Sequence, residues 1–117
     1  HIQYGARTSK KLARGLFHAM MRFGPKLERE QLLLSRFCGI ATELFVISAS
    51  CSFAQHKIDS GEPVAEVLSL AEYACRSAKL RIDHHFAGTA ENVDKRAYDL
   101  TQELMDGKHD SLRAGIV

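Results

Sequence analysis

The sequence has no Gly-rich phosphate loop, no C-x-x-C pair, no Glu-x-x-His motif and no alternating strand pattern. Each gap removes a class of function. Gly5, Gly15, Gly24 and Gly39 are scattered among helical stretches, so no backbone cradle for a phosphate forms. Di-iron bundles draw ligands from paired Glu-x-x-His turns, which are missing. Cysteine occurs only as Cys38, Cys51 and Cys75, an odd count, each in an apolar stretch where the thiol acts as a small hydrophobe. A disulfide framework is therefore not expected, and a reducing, intracellular compartment fits better. Residues 1–14 carry Arg7, Lys10, Lys11 and Arg14 but no apolar run behind them, so no secretory leader is visible. The chain opens on His1, and is read as a piece of a longer polypeptide.

What is present is the material for one domain. The chain has 117 residues, 45% hydrophobic and 26% charged, which suits a single buried core and excludes a disordered tail. Net charge is +2 but unevenly spread: residues 1–36 hold eight basic and two acidic groups, and the remainder eight basic and twelve acidic. A basic end of this kind marks a nucleic-acid or membrane face in some proteins and more often a solvated face or a surface toward another domain, which is the favoured reading. With no recognition-helix signature, nucleic acid is not expected as a partner.

Apolar spacing predicts four helices, over about residues 9–23, 26–54, 63–87 and 92–106, in an all-α, up-and-down antiparallel bundle. Ser9 is the expected cap of the first, with Leu12, Leu16, Ala19, Met20 and Phe23 on one stripe and Lys10, Arg14, His18 and Arg22 opposite. Gly24-Pro25 ends it, and Pro25 suits the first turn of the second helix. That central helix carries two stripes. Leu33, Phe37, Ile40, Leu44, Ile47 and Cys51 form one; Leu27, Leu34, Cys38, Ala41, Phe45 and Ser48 form the other. Two stripes imply contact with more than one partner. Its second half is long enough to raise a membrane span, but Glu43 and several hydroxyl residues favour a buried soluble helix. The third helix opens at Pro63 and runs through Val67, Ala71, Cys75, Ala78, Ile82 and Phe86 to Gly88. Asn92 caps the fourth, in which Val93, Ala97, Leu100 and Leu104 align, and Gly107 closes it.

Candidates for chemistry are few. His84 and His85 point about 100° apart on a helix, so they do not share one metal easily and read as surface histidines. Glu28 with Glu30, Glu62 with Glu66, and Asp106 with Asp110 lie at helix ends or on charged faces, where carboxylates complement the helix dipole. Ser50-Cys51-Ser52 lacks the glycines of a nucleophile elbow. Glu43, alone among apolar neighbours, is expected to pair with Arg36, Lys79 or Arg81, since a buried charge needs a partner. No catalytic, cofactor-binding or metal-ligating residue is nominated.

Ser9-Lys10-Lys11-Leu12-Ala13-Arg14-Gly15-Leu16-Phe17, then Glu30-Gln31-Leu32-Leu33-Leu34-Ser35-Arg36-Phe37, then Ala41-Thr42-Glu43-Leu44-Phe45 and on from Ser48 to Ala54, form a connected run. It resembles the C-terminal extension of very-long-chain-type acyl-CoA dehydrogenases, and the likeness covers nearly the whole chain. The resemblance implies a parent flavoenzyme, using FAD, that introduces a double bond between Cα and Cβ of an acyl-CoA in fatty-acid oxidation. FAD and the catalytic glutamate belong to the family's upstream core, so neither Glu43 nor Glu72 is taken as the base. The implied role is non-catalytic: docking on the core of its own chain, supporting dimer architecture, or meeting a membrane through the basic first helix. The compartment implied is the cytoplasm in a bacterium or the mitochondrion in a eukaryote. The alternative is a stand-alone helical interaction or oligomerisation module.

Overall fold

A computed structural model describes residues 1–24, 30–112, 114 and 115. The chain is all-α: α1 (Ile2–Phe23), α2 (Gln31–Asp59), α3 (Val64–Ala90) and α4 (Asp94–Met105), followed by a short 3-10 turn at Asp110–Leu112. The expected four helices are all present, in the expected order, with neighbours in contact.

The ends of these helices depart from expectation in instructive ways. α1 begins seven residues ahead of Ser9, whose hydroxyl donates to the Gly5 carbonyl at 2.9 Å instead of capping. A serine inside a helix satisfies itself on the preceding turn, and that leaves no boundary there. Gly24 does end α1, with φ +53 and its N–H on the Met20 carbonyl. The expected role of Pro25 and the start of α2 at Lys26 fall outside the described residues. α2 runs five residues past Ala54, because Ala54 is itself buried and the Gln55 amide donates to Asp59 at 2.8 Å one turn on. It ends where Gly61, at φ +88, turns the chain: Gly61 N–H bonds the Ile58 carbonyl and Glu62 N–H the Lys57 carbonyl, a Schellman pair. Pro63 follows at once and precedes α3.

α3 does not stop at Gly88 but continues to Ala90. The missing side chain there serves packing: a Cβ on Gly88 would stand 2.8 Å from Arg36 Nε of α2. Asn92 joins the last two helices, donating to the Gly88 carbonyl at 2.9 Å and accepting from Asp94 N–H at 3.1 Å. Gly107 closes α4 as expected, with φ +83 and a second Schellman pair onto Leu104 and Glu103.

α2 and α3 pair along their lengths in opposite directions, with Arg36 beside Gly88, Glu43 on Arg81 and Cys51 beside Cys75. α1 packs on α2 and runs parallel to α3: Tyr4 meets Lys79 and Lys11 meets Phe86. The core is thin. Ile40, Ile47, Cys75, Ala78 and Ile82 are fully enclosed, flanked by Ala19, Leu33, Phe37 and Ala54. These are the inward stripes read from the sequence, and each large aliphatic so buried contributes about 1.5–3 kcal/mol.

The molecule is a slab of 63 × 43 × 19 Å with a radius of gyration of 20.0 Å. A compact chain of this length would have a radius near 13 Å. α4 buries no residue, and its stripe of Val93, Ala97, Leu100 and Leu104 stays exposed.

Candidate functional site

The polar groups that drew attention in the sequence form interhelix ties. Glu43 accepts from Arg81 Nε at 2.7 Å and from Nη2 at 2.9 Å, a two-point pair between α2 and α3. Arg36 makes a second such pair with Asp94, at 2.5 and 2.7 Å, fixing the first turn of α4 to α2. The Arg81 hydrogen bonds hold Glu43 below the usual carboxylate range against the opposing effect of burial, and Arg36 does the same for Asp94. A carboxylate so held is a structural anion and a poor proton acceptor for catalysis. The partner of Glu43 was one of those expected. The Arg36–Asp94 pair was not, because it links residues 58 positions apart with nothing local to signal it.

The sign of the pH dependence follows from these shifts. With both folded-state values lowered, the unfolded chain binds more protons than the folded one through the acid range. The stabilisation is complete above the ordinary carboxylate values of about 4 and is lost as pH falls through the folded-state ones. Urea midpoints measured from about pH 6 down to about pH 3 are expected to fall less steeply in an Arg36→Met, Arg81→Met variant than in the native chain. An equal slope would mean other carboxylates set the acid limit.

The His84 and His85 rings stand edge to face with centroids 6.3 Å apart. His85 lies against α2 where Gly39 has no side chain; a Cβ on Gly39 would come within 2.5 Å of the imidazole Nε2. His84 is exposed. Among the described residues no three of His, Cys, Asp and Glu converge as metal ligands. Glu28 lies outside them; Glu62 and Glu66 both border the groove near the α2–α3 turn, where Glu62 reaches Lys57 at 3.7 Å. Cys51 and Cys75 sit with their sulfurs 3.9 Å apart, and burial raises the Cys75 thiol above the usual range.

The feature of largest extent is apolar surface left open. The inward stripe of α2 is covered, but on the second stripe Cys38, Ala41, Phe45 and Ser48 are exposed and Leu34 is half-buried, while Leu27 lies outside the described residues. Phe45 is 72% exposed, and no Lys, Arg, Asp or Glu lies on this face between Cys38 and Ser48; Phe53, 61% exposed, is turned toward α3 with Lys57 Nζ 5.6 Å from its ring centroid. Beside this face, Phe53, Ala54, Val67, Leu70 and Ala74 line a groove of about 380 Å³ near the α2–α3 turn. Among the described helices α2 alone is long and apolar enough to cross a membrane, by length and composition, and only 17% of its apolar window is buried within the chain. α2 does meet more than one helix, α3 and α1, as its two stripes lead one to expect, yet Cys38, Ala41, Phe45 and Ser48 stay outside those contacts.

No family model matches the chain, and no solved structure matches it. Curated proteins do. The chain is 34% identical over 119 aligned residues to "Probable acyl-CoA dehydrogenase FadE10" of Mycobacterium bovis and to the proteins of that description in two strains of Mycobacterium tuberculosis. The alignment takes in all of this chain and 18% of each relative, so the chain spans under a fifth of the relatives' length. It is homologous to a segment of a probable acyl-CoA dehydrogenase.

Proposed function

We propose that this chain is a non-catalytic accessory segment of an FAD-dependent acyl-CoA dehydrogenase of the very-long-chain type, acting by docking on the catalytic part of its own polypeptide. The uncharged, uncovered stripe of α2 carries the reading. Soluble proteins rarely leave a contiguous apolar face of this kind without a partner. Homology to a segment of a much longer dehydrogenase supports a partner within the same polypeptide, since the greater part of such a relative lies outside the aligned stretch. In this reading FAD and the reacting acyl-CoA belong to that other part, within an intracellular enzyme, and this segment supports its architecture.

Phe45→Glu with Phe53→Glu tests the reading in the full-length protein. Both side chains are open to water in the present chain, so the isolated chain is expected to keep its helicity and melting temperature. The full-length enzyme is expected to lose stability and activity together, because two carboxylates would be forced into a desolvated contact. If the full-length variant keeps its melting temperature and turnover, this face does not dock. Concentration-dependent dimerisation of the isolated chain, abolished by the same pair, would instead favour a stand-alone oligomerisation module.

A further inference from the structure

Where α1 and α3 lie alongside each other, a groove of about 470 Å³ opens between them, distinct from the α2 stripe. Arg7 and Lys11 come from successive turns of α1 and Lys79 from α3; the carboxylate among the lining residues is Asp83. Cations thus outnumber anions there, on two separate helices. None of the three cations forms an ion pair among the described residues.

Aromatic faces hold the lysines in place. Lys11 Nζ stands 4.2 Å from the Phe86 ring centroid, and Lys79 Nζ stands 4.7 Å from that of Tyr4. A ring orients an ammonium without neutralising it, so the full charge stays available to a ligand. Burial keeps the Tyr4 phenol above the usual range. The groove therefore offers the neutral Tyr4 hydroxyl beside the cations. Its volume falls in the range of small-molecule sites.

We infer that this groove binds a phosphate-bearing anion, with Arg7, Lys11 and Lys79 as its cationic contacts. Ring-held ammonium groups beside an exposed guanidinium, none of them in an ion pair among the described residues, suit the doubly charged, multiply accepting oxygens of phosphate better than a single carboxylate. The phosphate is either part of a soluble molecule or a lipid headgroup, and two probes separate these sources. Inorganic pyrophosphate is titrated calorimetrically into the chain; sedimentation with phosphatidylglycerol–phosphatidylcholine vesicles is run in parallel.

Lys11→Gln with Lys79→Gln is compared with Lys10→Gln and Arg14→Gln, which remove the same charge from α1 positions that do not line the groove. The groove pair is expected to weaken binding at least about tenfold, and the control pair by less than about twofold. That difference with pyrophosphate assigns the site to a soluble phosphate; the same difference with vesicles alone assigns it to a headgroup. Circular dichroism checks that each variant keeps its helices. Equal weakening by both pairs, or no saturable binding to either probe, overturns the inference.

Discussion

Ile82→Ala is expected to destabilise the chain by about 2–5 kcal/mol, enough to threaten folding on its own. Ile82 is fully enclosed between α3 and α2, with Ile40, Cys75 and Ala78 in the same cluster. Removing three carbons there forfeits their transfer energy and leaves a cavity that packed helices close only in part. Leu80, on the same helix, is 72% exposed, and Leu80→Ala is expected to stay within about 0.5 kcal/mol of native. Urea unfolding followed by circular dichroism gives both values. A similar cost at the two positions would mean that Ile82 is not at the centre of the core.

Gly39→Ala carries the second large effect, and its sign is diagnostic. Alanine is the better helix former by about 1 kcal/mol, so an unobstructed site would gain stability. Here the new methyl would stand 2.5 Å from Nε2 and 2.7 Å from Cε1 of His85, which is half-buried against α2. The ring must leave its place or the helices must part, at a typical cost of about 1–3 kcal/mol. In a His85→Ala background the obstruction is gone, and the same Gly39→Ala change is expected to stabilise by up to about 1 kcal/mol. The reversal of sign across this cycle is the measurement. A destabilising Gly39→Ala in both backgrounds would mean that the contact limiting α2 lies elsewhere.

The inward stripes were legible because they are periodic. Leu33 to Cys51 on α2 and Cys75 to Ile82 on α3 pack as their spacing foretells. Glu43 was legible for a different reason: a single charge in an apolar helix has to find a counter-ion, and Arg81 was among the few in range. Gly88 and Ser9 were misread because one residue type serves two purposes. A glycine that ends a helix and one that admits a neighbour's side chain look alike in sequence, and so do a capping serine and one bonded back to its own helix. The two stripes of α2 signalled more than one partner helix, and α3 and α1 both pack on it, but spacing did not say how much of the second stripe they would leave open. The groove of Arg7, Lys11 and Lys79 was hidden, since it depends on how far α1 slides along α3, and the basic face read from spacing was Lys10, Arg14, His18 and Arg22 instead.

The joint at Asn92 has a consequence for motion. Its amide spans two helix ends, and the Arg36 fork clasps Asp94 just beyond it, while nothing further along α4 is buried. Such an arm opens as its own unit, well before the slab unfolds, and its amides exchange with solvent at a rate set by that single clasp. Releasing the clasp frees a twelve-residue amphipathic rod to swing about a three-residue link.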